Sequence, residues 1–418
     1  CKVVVGGGFF TSMPEEMMKW IPKIDYGVVG EAYQTLPELL VAVSNREDPS
    51  YVNGLVYWRN GELVRTGDRL LIPDLDWLPF PKYEYAPLDI YFRNSSILMS
   101  KESMTCRKRI DVLMSLGCPF PCGYCWDLGV TSNKVRVGRP SLYTLYRHHS
   151  PKYIGRYIRY VRETYRSVET PSRENPSIPE YDFPVDFVSW LDENIVAHDA
   201  KTGWTWLKQI EDELWKQGLI PECVQKGAPH TDDCSGPHYG GTAHAGLITR
   251  YTLKTLKRIG FCYLDFGLES FDDKILKSIG KGSTAELNKR AVQMTLDEGI
   301  QPIPNMMIGF PDESWESIGR MLDALEETGI VSKPFLCTAY PGSKWFVEYK
   351  ECVLKQYDED LERFILDLGD ATKITALLTE KFTPVEMVGV QNILVEAAKT
   401  GNFKNARRLF ALSSEGLC

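Results

Sequence analysis

The sequence predicts an α/β protein built around an incomplete six-strand parallel β/α barrel. A Rossmann-like α/β unit precedes the barrel, and a helical region follows it. Three observations carry this reading. Apolar strand-like runs alternate with amphipathic helical runs from about residue 105 to 345, two successive β-turn-α units open the chain, and helical periodicity dominates from about residue 346. The expected division is residues 1–75 for the first unit, 76–100 for a linker, 101–345 for the barrel and 346–418 for the helical region.

In the first unit, Val3 to Val5 are β-branched and Gly6, Gly7 and Gly8 break the strand. The helix "PEEMMKWI" then starts on Pro14 with acids in its first turn. "YGVVGEAYQTLPELLVAVS" repeats the pattern, with Val28 and Val29 as strand and Leu36, Leu39, Leu40 and Val43 on one helical face. Asn60-Gly61 between two alternating runs signals a hairpin, and the proline-rich "LIPDLDWLPFPKYEY" reads as a surface linker. The chain opens at Cys1 directly in a strand, as a fragment cut within a domain would.

The barrel strands are expected at Ile110–Ser115, Val185–Leu191, Leu219–Gln225, Cys262–Gly267, Ile303–Gly309 and Pro334–Thr338, with helical patterns between most of them. Chemistry in such a barrel sits at the C-terminal ends of its strands. On this reading "KGAPHTDDCSGPHYGGTAHAG" emerges after the third strand, on the substrate face.

The 418 residues are 43% hydrophobic and 25% charged, enough for a large core, and the formal net charge of -8 gives no global attraction to nucleic acid. No run of about 18 apolar residues is present, so a soluble, cytoplasmic protein without membrane contact is expected. Of the 11 cysteines, Cys118, Cys122 and Cys125 crowd one stretch, "LGCPFPCGYCWDLG". In a chain this long, that pattern indicates a metal or redox site more than a disulfide framework.

Three thiolates on a short loop can hold three irons of a cubane iron-sulfur cluster, leaving the fourth open. Structural zinc is a second reading, although no second CxxC or HxxxH supplies a fourth ligand. A CxxC redox pair is a third, and it leaves Cys118 idle.

The C-x3-C-x2-C spacing at the end of a first barrel strand resembles the radical S-adenosylmethionine (SAM) superfamily, with Tyr124 at its aromatic position. The resemblance implies a [4Fe-4S] cluster on Cys118, Cys122 and Cys125, SAM on the open iron, and a 5'-deoxyadenosyl radical. It also implies SAM contacts at three further strand ends. These are Asp192, Glu193 and Asn194 in "WLDENIVAH", which replace the family's Gly-Gly-Glu pattern; Glu269 and Ser270 in "GLES"; and Ile308 and Gly309 in "IGFPDE". Glu313 reads as a first-turn helix acid, and "TAYPGSKWF" resembles the Pro-Gly-Thr segment that closes such barrels.

The first unit resembles the second half of a cobalamin-binding domain, as fused to the class that includes anaerobic Mg-protoporphyrin ester cyclases. This implies that Gly6, Gly7 and Gly8 approach cobalamin, although no Asp-x-His-x-x-Gly segment supplies an axial histidine. The expected function is thus a radical SAM methyltransferase or oxidative cyclase acting on a small organic substrate, with an electron donor such as flavodoxin or ferredoxin. A non-enzymatic iron-sulfur electron-transfer protein and a zinc-stabilised binding module are the competing classes.

Other residues read more plainly. Cys223, His230, Asp232, Asp233, Cys234, His238 and His244 match no compact zinc spacing. Trp190, Trp204, Trp206 and Trp215 read as core and helix-packing residues, and Cys106, Cys262, Cys337 and Cys352 as small buried groups. "GKGST" lacks the spacing of a phosphate loop.

Overall fold

The computed structural model describes residues 1–94, 106–125, 146–171, 179–201, 203–227, 236–369 and 375–414. His230, Asp232, Asp233 and Cys234 lie outside the described residues.

The N-terminal part forms a four-stranded sheet of β1 (Val4–Val5), β2 (Tyr26–Val28), β3 (Leu55–Arg59) and β4 (Glu62–Arg65), in that order. The first pair is parallel, and the hairpin β3–β4 adds antiparallel. Asn60 and Gly61 both have positive φ, 51° and 84°, as a tight hairpin turn matched to strand twist requires. One sheet face packs Phe10, Met18 and Val56; the other packs Val28, Leu39 and Leu55.

Farther along come β5 (Arg109–Val112), then an antiparallel ladder of β6 (Ser115–Leu116) and β7 (Arg147–His148). A second small ladder joins β8 (Thr170–Pro171) and β9 (Pro179–Glu180). The remaining strands are β10 (Phe187–Trp190), β11 (His238–Ala243), β12 (Phe261–Glu269), β13 (Gln301–Ile308) and β14 (Phe335–Leu336). With β5 they make one parallel sheet in the order β14-β13-β12-β11-β10-β5. It curls into a six-strand half-barrel.

The third strand corrects the sequence reading. Leu219–Gln225 leads into a short helix, Glu222–Gln225, and the strand is β11, inside the segment read as a loop. The glycines that disguised it have a packing reason: a Cβ on Gly240 would stand 2.1 Å from the Tyr263 ring. The part of that segment that is a strand therefore begins at His238, and Gly236 and Pro237 lead into its N-terminal end.

Strand alternation sorts the residues. Ile110, Val112, Val188, Trp190, Leu264, Phe266, Met306 and Ile308 point outward into one dry core. Helices between the strands supply its other half. Pro151–Thr164 is capped by the Ser150 hydroxyl, which accepts from the Tyr153 N–H, and buries Ile154, Tyr157, Ile158 and Val161. Arg250–Ile259 and Trp315–Thr328 begin with capping boxes and end on Gly260 and Gly329 in the left-handed region. Of the four tryptophans, Trp190 and Trp206 are core, whereas Trp215 is 59% exposed. Cys337 is buried; Cys106, Cys262 and Cys352 are half-buried.

The C-terminal helices Pro384–Thr400 and Phe403–Ser414 extend this core through Met387, Leu394 and Phe410, with Trp315 packed edge-on to Phe382. The open edge at β5 is covered by the preceding segment: the Tyr83 hydroxyl donates to the Asp111 carbonyl, and Leu88 and Phe92 enter the core.

Candidate active site

The three cysteines lie on a loop that starts at the end of β6, beside the C-terminal end of β5. Cys122 is buried, and Cys118 and Cys125 are half-buried. Residues from a strand end and two helices pin the loop. The Gly117 N–H donates to Glu193 Oε2 at 3.2 Å, the Gly123 N–H to the Ile279 carbonyl at 2.9 Å, and the Trp345 N–H to the Gly123 carbonyl at 3.0 Å. Trp345 covers Gly123 so closely that a Cβ there would stand 2.8 Å from Nε1.

Opposite the loop sits a buried ion pair. Lys281 Nζ lies 2.9 Å from Glu269 Oε1, and the Tyr124 hydroxyl donates to the same oxygen at 2.8 Å. Burial disfavours the Lys281 ammonium, but Glu269 and the neighbouring thiols outweigh it and raise its pKa. Burial pushes the Cys122 thiol up, against the pull of Lys281. Glu269 reaches this position through an irregularity in β12 and a backbone φ of 61°. Gly267 is needed beneath it, since a Cβ there would lie 2.5 Å from Glu269 Oε1.

The second strand end is occupied differently from the expectation. Asp192 turns inward, accepting from the Met114 N–H and the Ser115 hydroxyl, and burial pushes its carboxyl up to about 6. It braces the end of β5. Glu193 is exposed beside the loop. Asn194 Oδ1 accepts from the Val196 and His244 N–H groups, while its buried Nδ2 has no hydrogen-bond partner among the described residues. Ser270 is spent on a local turn, accepting from the Asp272 N–H.

At the fifth strand end, Ile308 is fully buried in the outer core, so it does not face the site; alternation turns Met307 to the inner side. Gly309, at φ 83°, donates to Glu313 Oε2 at 2.9 Å. Glu313 thus closes this turn just ahead of the helix cap Ser314, instead of sitting within the first helical turn.

Sequence reasoning passed over Lys281, Trp345 and the Phe120–His244 stack, whose rings lie 3.8 Å apart and nearly parallel. His244 Nε2 donates to the Lys281 carbonyl at 2.7 Å and Nδ1 accepts from Gly246, which fixes one neutral tautomer. The signal for Lys281 was "GKGST", tested only as a phosphate loop.

Three cysteines on one loop are a donor set that fits a cluster. Among the described residues no three His, Cys, Asp or Glu side chains converge tightly enough for one metal. A cubane spreads its ligands, one thiolate per iron.

At the other unit, Gly6 and Gly7 are exposed after β1, and nothing stands within 4 Å of a Cβ built on Gly7, whose φ is 102°. The Gly30 N–H beside them donates to the Thr11 hydroxyl. Glu31 pairs with Arg147 of β7, which also donates to the Ile72 carbonyl. Between this unit and the strand ends lies a largely apolar cavity of about 570 Å³, lined by Tyr33, Leu78, Phe80, Leu113, Leu116 and Leu191.

Residues 216–325, from the end of one barrel helix to the end of another, match the Radical SAM superfamily. The matched stretch takes in β11, β12 and β13. An uncharacterized methyltransferase of Pyrococcus horikoshii is 26% identical over 343 residues, covering 82% of this chain and 61% of the relative. The anaerobic magnesium-protoporphyrin IX monomethyl ester cyclase of Synechocystis is 22% identical over 316 residues, covering 74% and 50%. The chain thus spans about half to three-fifths of those relatives.

The fold also matches solved structures. Apo OxsB, a cobalamin-dependent SAM radical enzyme, superposes with TM-score 0.59 at 14% identity, covering 99% of this chain and 62% of that one. The methyltransferase TsrM from Kitasatospora setae, with cobalamin and a [4Fe-4S] cluster bound, gives TM-score 0.55 at 17% identity, covering 84% and 58%. Among the described residues no helix is long and apolar enough to cross a membrane.

Proposed function

We propose that this chain is the catalytic part of a cobalamin-associated radical SAM enzyme that methylates or cyclises a small organic substrate. Cys118, Cys122 and Cys125 would hold the [4Fe-4S] cluster. When bound, that cluster supplies the electron that cleaves a carbon–sulfur bond of SAM and yields a 5'-deoxyadenosyl radical. The observation that carries the reading is the pinning of the cysteine loop by Glu193 and Glu269 at two other strand ends and by Ile279 and Trp345 on two helices, above an open half-barrel.

The protein's own residues then have defined tasks. Trp345, Phe120 and Gly123 fix the loop that carries the buried Cys122. Lys281 holds a positive charge beside the thiolates and, with Glu269 and Tyr124, offers a polar rim to the carboxylate and ribose of SAM. Glu193 and Asn194 Nδ2 offer one acceptor and one donor to its amino-acid end. Gly309 and Met307 line the approach of the adenine; Ser270 and Asp192 position these groups from behind.

Gly6, Gly7 and Gly8 leave backbone uncovered for cobalamin, with the unit 1–75 ahead of a linker 76–100, a barrel 101–345 and a helical region 346–418. No histidine occurs in residues 1–75, so this unit gives cobalamin no axial imidazole. Names of the relatives support methyl transfer or cyclisation as the outcome, and the reading calls for a one-electron donor such as a flavodoxin or ferredoxin.

The test is anaerobic reconstitution with iron and sulfide, reduction with dithionite, addition of SAM and chromatography for 5'-deoxyadenosine. Product should form with the native chain and vanish with alanine at Cys118, Cys122 or Cys125. A reconstituted cluster that ignores SAM would overturn the reading.

A further inference from the structure

The half-barrel is not filled the way a closed parallel barrel is. Its outward side chains are dry, but the inward ones at Thr242, Ile303, Asn305 and Met307 are half-exposed and the Asp111 side chain is 43% exposed. The lumen is therefore open to water, and its floor is polar.

Two hydrogen-bonded sets make that floor. Arg109 donates to Asp111 Oδ1 at 2.6 Å and to the Ser189 hydroxyl at 3.1 Å, and Ser189 in turn meets the Tyr263 hydroxyl at 3.0 Å. On the adjacent strands, Asn305 Nδ2 donates to Asp265 Oδ1 at 2.9 Å. Arg109 is thus committed to its own strand and its neighbour. Among the described residues, the hydrogen bonds of Asp265 engage Oδ1 alone, although the residue is only 9% exposed. Burial holds its carboxyl above the usual range, the mark of an acceptor with too few donors.

Charge and hydrogen-bonding capacity agree. The floor carries one guanidinium against two carboxyls, and the sites left open among the described residues are acceptors: Asp265 Oδ2, Asp111 Oδ2 and the Asn305 side-chain oxygen. Above them Met307 is apolar, and Ile303 stands level with Asp265 on the neighbouring strand. Asp265 lies four residues below Glu269 on β12, at most about 13 Å at strand rise, which spans a small molecule between floor and cysteine loop.

The geometry points to a substrate that carries a protonated amine: Asp265 and Asn305 seat the ammonium at the lumen floor, and an apolar stem presents the reacting carbon toward the loop. This inference rests on the reading of the lumen as the place where substrate meets the cysteines. It adds the class of molecule.

Ligand-observed NMR titration of the 418-residue chain with n-hexylamine and with n-hexanol tests it. A charge-assisted hydrogen bond at a shielded site should make the amine bind about tenfold tighter than the alcohol. Asp265→Asn should abolish that preference, and Thr242→Phe, which fills the lumen at the level of Asp265, should abolish it independently if the first variant does not fold. Equal binding of amine and alcohol, or a preference that survives both substitutions in folded protein, overturns the proposal. The titration needs no cluster, so its outcome is separate from that of the 5'-deoxyadenosine test: SAM cleavage without amine preference removes only the substrate class.

Discussion

Glu269 and Lys281 form an ion pair in which both side chains are less than a tenth exposed, and Tyr124, between two of the three clustered cysteines, joins it through its hydroxyl. The pair ties the cysteine loop to the end of β12. Removing one partner leaves a buried charge uncompensated. Lys281→Met is expected to cost about 3–5 kcal/mol in urea unfolding, and the double variant with Glu269→Gln should recover much of that loss. Equal losses in single and double variants would show that the pair is not coupled.

His244 gives a pH dependence with a defined sign. Burial, with Lys281 adding to it, lowers the imidazole from 6.5 to about 3. Between those values the unfolded chain binds a proton that the folded chain does not. Its contribution to stability is thus complete above pH 6.5 and is lost as pH falls toward 3, by up to about 1.4 kcal/mol per unit. The difference in unfolding free energy between the native chain and His244→Asn, followed from pH 7 to pH 4, should show that slope.

Gly123 has no room for a side chain beneath Trp345. Gly123→Ala should displace the loop at a cost of about 1–3 kcal/mol and lower iron and sulfide bound per chain after reconstitution. Trp345→Leu in the same background should restore part of the iron, because it removes the obstructing indole.

Glu31 and Arg147 join the N-terminal sheet to the hairpin that bounds the cysteine loop, with side chains 13% and 6% exposed. A double-mutant cycle with Glu31→Gln and Arg147→Met should give a coupling energy of about 1–3 kcal/mol. Additivity within error would mean that the two parts are held by other contacts.

The cysteine spacing, the alternation of strands and helices and the Asn60-Gly61 turn are local patterns, and the structure reproduces the architecture they imply. Features that depend on a distant partner were hidden. β11 reads as a loop because Gly240 and Gly241 look like breakers, yet the Tyr263 ring on the next strand demands a glycine. Ile308 looked exposed to the site because its motif lies at a strand end; the parity of β13 sends it outward and Met307 inward. Lys281 looked like part of a failed phosphate motif, and its meaning comes from Glu269, twelve residues earlier on a different element. Asp265 and Asn305 gave no signal, since neighbouring strands are brought together only by the sheet.

β6 and β7 pair Leu116 directly with Arg147. The cysteine-bearing segment between them is therefore an excursion whose two ends are already fastened side by side. Closing a longer excursion costs only a logarithm of its added residues. Its described part is held to the walls at Gly117, Gly123 and Tyr124, so an exchange of the roof over the lumen has to keep those three ties.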